Sequence, residues 1–304
     1  TMNITKKHQN QNLLVLLFQL ISWWGCISLI NSEIHFGIKI AVLIFFSLMM
    51  QGVFSLMHEC YHDLGHSNKT VNATMALLSS TIFGTSSTLC KVNHIGHHYR
   101  NRTRHEIIEF VYPDESKFKK TLKQYFMVLG GVWLLSFLGL IILPFTPYRT
   151  SKIFALNDGN NTYSESFNKF SKTDWMRIKG EFVFSFFFIA GFTYFMGWKW
   201  QTLLLCYGVF AFSWSSLQWV YHMRTPLDVV EGTYNLRLPT QIRWLFLNFN
   251  CNLTHHRDPN LPWQDLYKLS NQKETQPLWY RYLLVFKPPE PFPDDVAEYD
   301  KKYF

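Results

Sequence analysis

Charge is scarce in this chain. Asp, Glu, Lys and Arg make up 16% of its 304 residues, and several long blocks hold almost none of them. A soluble protein spreads polar residues along the outer face of amphipathic helices. Here the mean hydropathy of -0.04 arises because uncharged blocks and polar stretches average out. Cysteine is sparse as well. Cys26, Cys60, Cys90, Cys206 and Cys251 are odd in number and form no C-x-x-C pair, which excludes a disulfide framework and a zinc ribbon. The absence of repeats and low-complexity tracts excludes a solenoid. The formal net charge of +8 would suit nucleic acid, but no nucleic-acid motif accompanies it, so membrane lipid is the simpler partner.

The apolar blocks have lengths that suit a bilayer. Residues 12–30 and 37–57 are runs of spanning length separated by Asn31, Ser32 and Glu33, and 181–197 and 201–222 form a second pair around Gly197 and Trp198. The first run follows Lys6, Lys7 and His8 without a clear cleavage site, so it is expected to be a retained helix. A fifth block, 125–146, ends at Pro144 and Pro147. The polar stretch 58–124 carries Lys69, Lys91, Arg100, Arg102, Arg104, Lys117, Lys119, Lys120 and Lys123, which marks it as cytoplasmic. Segment 147–180 is also basic, with Arg149, Lys152, Lys169, Lys172, Arg177 and Lys179, yet a full crossing at 125–146 would put it outside. A re-entrant or interfacial segment there removes the conflict. Residues 71–90, rich in Ser and Thr, read as a connector. The expectation is one domain over 1–304: an all-α integral membrane protein with about four transmembrane helices in two hairpins, an embedded segment at 125–146 and a cytoplasmic cap.

Eight of the twelve histidines fall at four places, each just beyond an apolar block or in the basic loop after one. His58-Glu59-Cys60-Tyr61-His62 ends the second block, and a spacing of four puts both imidazoles on one helix face. His94-Ile95-Gly96-His97-His98 gathers three more by the same logic. Asn252-Leu253-Thr254-His255-His256 follows the last block, and His222 closes that block as Gln218-Trp219-Val220-Tyr221-His222. Adjacent His255 and His256 sit about 100° apart on a helix, so they reach different metals or occupy a non-helical turn. An H-x-x-H-H triplet arises by chance in about two chains of this length in a hundred, so a cluster of clusters points to metal. Eight imidazoles exceed one zinc site and suit two metals with open positions. The isolated His8, His35, His66 and His105 read as structural.

These boxes resemble those of the membrane-bound fatty acid desaturase family, whose layout is H-x(3-4)-H, H-x-x-H-H and (H/Q)-x-x-H-H. The tail His255-His256-Arg257-Asp258-Pro259-Asn260-Leu261-Pro262-Trp263 is similar to that family's H-H-x-x-P-x-x-P-(W/Y) signature, and Gln218 to His222 to its N-x-x-x-H element. The resemblance covers most of the chain. It implies two iron ions held by His58, His62, His94, His97, His98, His222, His255 and His256, with Asn252 and Gln218 as further candidates, and O2 as co-substrate. Asn252 departs from the pattern, since the family has His or Gln there, and its amide oxygen is a weaker donor.

The resemblance further implies an oxidoreductase acting on lipid acyl chains, a fatty acid desaturase first and a lipid or carotenoid hydroxylase or ketolase second. Its setting would be a bacterial inner membrane or the endoplasmic reticulum. The chain lacks both the H-P-G-G of a fused cytochrome b5 and a ferredoxin C-x(4)-C-x(2)-C run, so its electron donor, such as a ferredoxin or cytochrome b5, is a separate protein. Phe182, Phe184, Phe186, Phe187, Phe188, Tyr194, Phe212 and Trp214 are candidates for a channel wall, although most are expected to face lipid or pack. Glu59, Glu106, Asp228 and Asp258 are candidates for orienting the ligand imidazoles. A rival remains, because His58 to His62 also matches the H-E-x-x-H of a zinc protease, with Glu59 as base.

Overall fold

The computed structural model describes residues 4–104, 106–150 and 169–293, so His105 and Lys152 lie outside the described residues. Two helical hairpins carry four of the apolar blocks: α1 (Lys6–Asn31) with α2 (Phe36–Tyr61), and α7 (Lys172–Met196) with α8 (Trp200–His222). Each turn has a chemical cause. His35 Nδ1 accepts from Gly37 N at 3.2 Å and caps α2, while Gly197, at φ 61°, takes the left-handed conformation that ends α7. The two turns are tied together, since Asn31 Oδ1 accepts from Lys199 N at 2.8 Å and Thr202 Oγ1 at 3.1 Å. The histidine-bearing ends of α2 and α8 therefore lie together at the opposite end of the bundle.

All four helices are long and apolar enough to cross a membrane, and so is a fifth run, Lys117–Phe145. That run starts earlier than the embedded segment expected at 125–146, because α5 (Lys117–Phe126) alternates lysines with an apolar stripe of Phe118, Leu122 and Phe126. It continues through a π turn (Met127–Gly131), α6 (Val132–Ile142) and a 3-10 turn (Leu143–Phe145). Gly130 breaks it at φ 131°, a conformation open to glycine and costly for any other residue. Gly130 faces Ala211 of α8, about three turns below His222, whereas Trp133 N donates to Ser215 Oγ (3.1 Å), about two turns below it. Gln124 donates to the carbonyls of Val285 and Lys287, and Trp175 Nε1, in the first turn of α7, donates to Thr146 O at 3.0 Å. Both ends of the run thus sit toward the histidine end, with the kink deepest. Gly130→Ala is expected to cost about 1–3 kcal/mol in backbone strain, readable as a lower midpoint of thermal unfolding in detergent.

The Ser/Thr-rich stretch forms α3 (Lys69–Phe83) and the start of α4 (Ser87–Arg100). At 15 residues α3 is too short to span, and the hydroxyl residues of its last turns, Ser79, Ser80 and Thr81, are buried against the hairpins, with Thr81 Oγ1 2.9 Å from Ser185 Oγ of α7. Directly beneath the histidines is an aromatic core. Phe54, one turn before His58, packs edge-on against Trp214 (centroids 5.1 Å), which also meets Phe83 at 5.0 Å. By contrast Phe184, Phe186, Phe187, Tyr194 and Phe212 are exposed on the bundle exterior, as lipid-facing residues would be. Beyond α8 the chain folds back over the histidine end as α9 (Thr240–Leu245), α10 (Asn252–Arg257), α11 (Trp263–Leu269) and α12 (Leu278–Val285). Two parallel strand pairs staple this cap: β1 (Phe110–Val111) with β4 (Glu290–Pro291), and β2 (Leu236–Arg237) with β3 (Gln276–Pro277).

Candidate metal centre

Each histidine box is positioned by a local device. His58 lies in the last turn of α2 and His62 just past it, where the helix stops as Asp63 turns to φ 58°. α4 starts at Ser86, whose Oγ accepts from Leu89 N, and Glu181 of α7 accepts from Thr88 Oγ1 at 2.6 Å and from Ser86 Oγ, which anchors the start of α4. The short α10 is held by the asparagines around it. Asn235 Nδ2 donates to Thr254 Oγ1 and Ser270 Oγ, Asn250 Nδ2 to Leu236 O, and Asn248, at φ 55°, donates through Nδ2 to Trp263 O. This gives the asparagines before the third box a role that their sequence positions alone do not reveal.

All eight candidate histidines come together, in two adjacent groups whose ligand atoms lie within 4.8 Å of one another: His58, His62, His94, His98 and His255 in one, and His97, His222 and His256 in the other. The neighbours His255 and His256 divide between them. In the first group the Nε2 atoms run as a chain, His58 to His255 at 3.0 Å, His255 to His98 at 3.1 Å, His98 to His94 at 3.1 Å and His94 to His62 at 2.9 Å. Hydrogen bonding cannot satisfy it. The Nε2 of a neutral imidazole has one proton or one lone pair, yet those of His94, His98 and His255 each have two such neighbours. A shared cation does satisfy it, since nitrogens at right angles about an ion roughly 2.1 Å away would be about 3.0 Å apart. In the second group the ring centroids lie 4.6 to 5.2 Å apart, and His98 and His256 bridge the groups at 4.7 Å. The donor set fits two metal ions side by side.

Of the four carboxylates proposed to orient imidazoles, one does so. Glu106 Oε2 lies 2.5 Å from His97 Nδ1. Glu59 instead accepts from Trp263 N at 3.1 Å, while Asp228 and Asp258 accept backbone N–H groups in their own turns. Asn252 Oδ1 is 2.6 Å from the Thr233 hydroxyl, and Gln218 faces a cavity beside the histidines. The isolated histidines have other duties. His35 caps α2, His66 Nδ1 accepts from Asn68 N, and His8 faces Asp265 at 3.7 Å.

Burial drives these imidazoles toward the neutral form that ligates metal. His62 is pushed down to about 4, by burial first and then by Lys91, and His98 to about 2, by burial and then by His97 and His62. His94, His255 and His256 are held well below the ordinary range by burial and by their neighbouring imidazoles. A histidine with a lowered folded pKa binds protons more readily when unfolded. Its stabilising share is therefore present above the unfolded value of about 6.5 and is lost as pH falls toward the folded one. Metal-free protein should melt at progressively lower temperature as pH drops from about 7 to about 5, and a chelator-treated sample followed by scanning fluorimetry would show it.

A cavity of about 160 Å³ opens onto this centre, lined by Phe54, Met127, Val132, Trp214 and Trp219 and ending on His94, His97 and His222. Of the aromatic residues expected to line a channel, Trp214 does. A larger cavity of about 1160 Å³ lies on the opposite face of α4, around Tyr61, Lys91, Val92, Ile95 and Tyr99, and none of the eight histidines lines it.

The chain matches the family model described as fatty acid desaturase over residues 36–288, a stretch holding all three boxes and His222. No curated protein matches it. With two histidine groups at the ends of apolar hairpins and a family match across most of its length, the chain belongs to the fatty acid desaturase family.

Proposed function

We propose that the protein is an O2-dependent di-iron oxidoreductase of lipid acyl chains, and that its reaction is desaturation, the introduction of a C=C bond. The observation that carries this is the cavity, an apolar chamber among membrane helices that ends on three of the eight histidines. The family is generally di-iron dependent, and the eight histidines offer donors for two ions. His58, His62, His94, His98 and His255 would hold one iron, and His97, His222 and His256 the other. Bound iron supplies the oxidising power, with O2, that no side chain possesses. The chain's own residues do the positioning. Phe54, Trp214 and Trp219 give the acyl chain an apolar wall and keep water out, and Glu106 holds the proton of His97 at Nδ1, leaving Nε2 free to ligate.

The contacts of Lys117–Phe145 support a re-entrant path: four crossings, with the histidines and the basic segments together on the cytoplasmic side of the membrane. A separate ferredoxin or cytochrome b5 would dock on that basic side. The hydrolase alternative is less well supported, because it needs only three metal ligands where eight histidines gather, and Glu59 is buried with Oε2 accepting from Trp263 N. To test the proposal, the protein would be expressed in an iron-replete host and the host fatty acids profiled by gas chromatography, alongside the metal content of purified protein. Two irons per chain and a new unsaturated acid are expected. A hydroxy acid instead would make it a hydroxylase, and one zinc with no lipid product would sink the oxygenase reading.

A further inference from the structure

We propose that the larger cavity, on the face of α4 turned away from the histidines, is a lipid site: one anionic phospholipid seats its phosphodiester headgroup on Lys69, Lys91 and Arg177 and an acyl chain between α3, α4 and α7. None of the eight histidines lines this cavity, so α4 stands between it and the reaction chamber, and its occupant is not placed for oxidation. The space of about 1160 Å³ exists because its walls carry short side chains, Ala73 and Ala76 on α3 and Gly96 on α4, beside the apolar Val92 and Ile95. Along α7 it is lined by Asp174, Arg177 and Glu181, one helix face running inward from the start of the helix. The apolar run of α7 begins at 181, which puts Arg177 one turn above it, at the level of lipid headgroups. α7 is also the least buried of the five apolar helices, so this side of the bundle meets lipid.

The charges around the cavity favour an anion. Lys69, Lys91, Lys169 and Arg177 face three carboxylates, Asp63, Asp174 and Glu181. Two of the three are committed elsewhere: Glu181 accepts from Ser86 Oγ and Thr88 Oγ1, and Asp174 accepts from Ser171 N and Oγ in the cap of α7. The cations are held loosely. Lys91 is 3.5 Å from Asp63, Arg177 is 3.6 Å from Asp174, and Lys69 makes no ion pair among the described residues. A headgroup that carries a phosphodiester without a balancing amine complements such a rim, and the apolar wall below it suits the chain that such a headgroup brings. A lipid held there would brace α4, the helix of the second histidine box, from the side opposite the metals.

The test uses the full chain in detergent, washed free of lipid and titrated with phosphatidylglycerol, phosphatidylcholine or inorganic phosphate. Native mass spectrometry counts bound lipid, and scanning fluorimetry follows the melting temperature. One phosphatidylglycerol per chain is expected to bind and to raise the melting temperature, at least about fivefold more tightly than phosphatidylcholine, while inorganic phosphate does neither. Lys69→Gln and Arg177→Gln should each weaken phosphatidylglycerol about fivefold, the share of one cation at an anionic headgroup, without lowering the melting temperature of the lipid-free protein. Ala73→Phe should block occupancy with every charge in place, and Lys119→Gln, on α5 outside the cavity, should change binding less than about twofold. Equal binding of the two lipids, or an equal loss in Lys119→Gln, would mean general attraction to a basic surface and overturn the site. Stabilisation by inorganic phosphate to the same extent would make it a site for soluble anions and overturn the lipid. Neither result touches the reading of the histidines.

Discussion

Replacing His98 by alanine is expected to empty the five-histidine group and to cut product formation more than about a hundredfold, beyond the top of the range for losing an outer partner of a metal ligand. His98 is the residue to choose because of where it stands. Its Nε2 is 3.1 Å from both His94 and His255, so it links the second box to the third, and its ring lies 4.7 Å from that of His256 in the other group. Glu106→Gln gives the matching milder case. With His97 kept but its Nδ1 partner weakened, a loss of about ten- to a hundredfold in metal affinity is expected. Iron content and product, measured on the same preparations, separate the two. If His98→Ala kept both its iron and its product, the assignment of this group would be wrong.

The largest effect on stability is expected at a residue that touches no histidine of the centre. Glu109 is fully buried, and it accepts from Arg102 Nη1 at 2.6 Å and from Arg224 N at 2.8 Å, two residues beyond His222. Burial alone would raise its pKa, but Arg102 and the backbone N–H groups outweigh burial and hold it below the ordinary carboxylate range. The stabilisation it confers is thus present at neutral pH and lost only as pH falls below that range. Glu109→Ala would leave Arg102, 3% exposed, as an unpaired buried charge, at a cost of about 3–5 kcal/mol. Unfolding in detergent at about pH 7.5 should show a collapse in melting temperature, and a shift of less than about 1 kcal/mol would mean the pair is hydrated or compensated. Since Asn101 and Arg102 also donate to the carbonyls of Gly232 and Thr225, this buried pair joins the end of α4 to the end of α8.

The parts of this arrangement that are legible in the sequence are those with a short period. His58 and His62, or His94, His97 and His98, declare themselves because helical spacing alone brings them to one face. Both hairpin turns are marked by Asn31 and Gly197. The parts that escape depend on partners beyond the local helical turn, from nine to some two hundred residues away. Nothing near Glu106 or Glu59 tells which carboxylate will meet an imidazole, because one is claimed by His97 and the other by Trp263, 204 residues away. The start of the fifth run is hidden because four lysines in α5 depress any hydropathy average, although its apolar stripe at every fourth residue is there to be read. The fixing of α10 by Asn235, Asn248 and Asn250 depends on loop geometry that local propensity does not encode.

The chain of imidazoles in the five-histidine group joins residues 32, 157 and 197 positions apart. Contacts of such separation form late, because the entropy of closing each loop has to be met before any of them returns free energy. Helix packing must carry that burden, since no pair of boxes encloses an ion until α2, α4 and the returning cap have met. An ion held by this group would therefore be the last partner to arrive, after α2, α4 and the cap have already been brought together by packing.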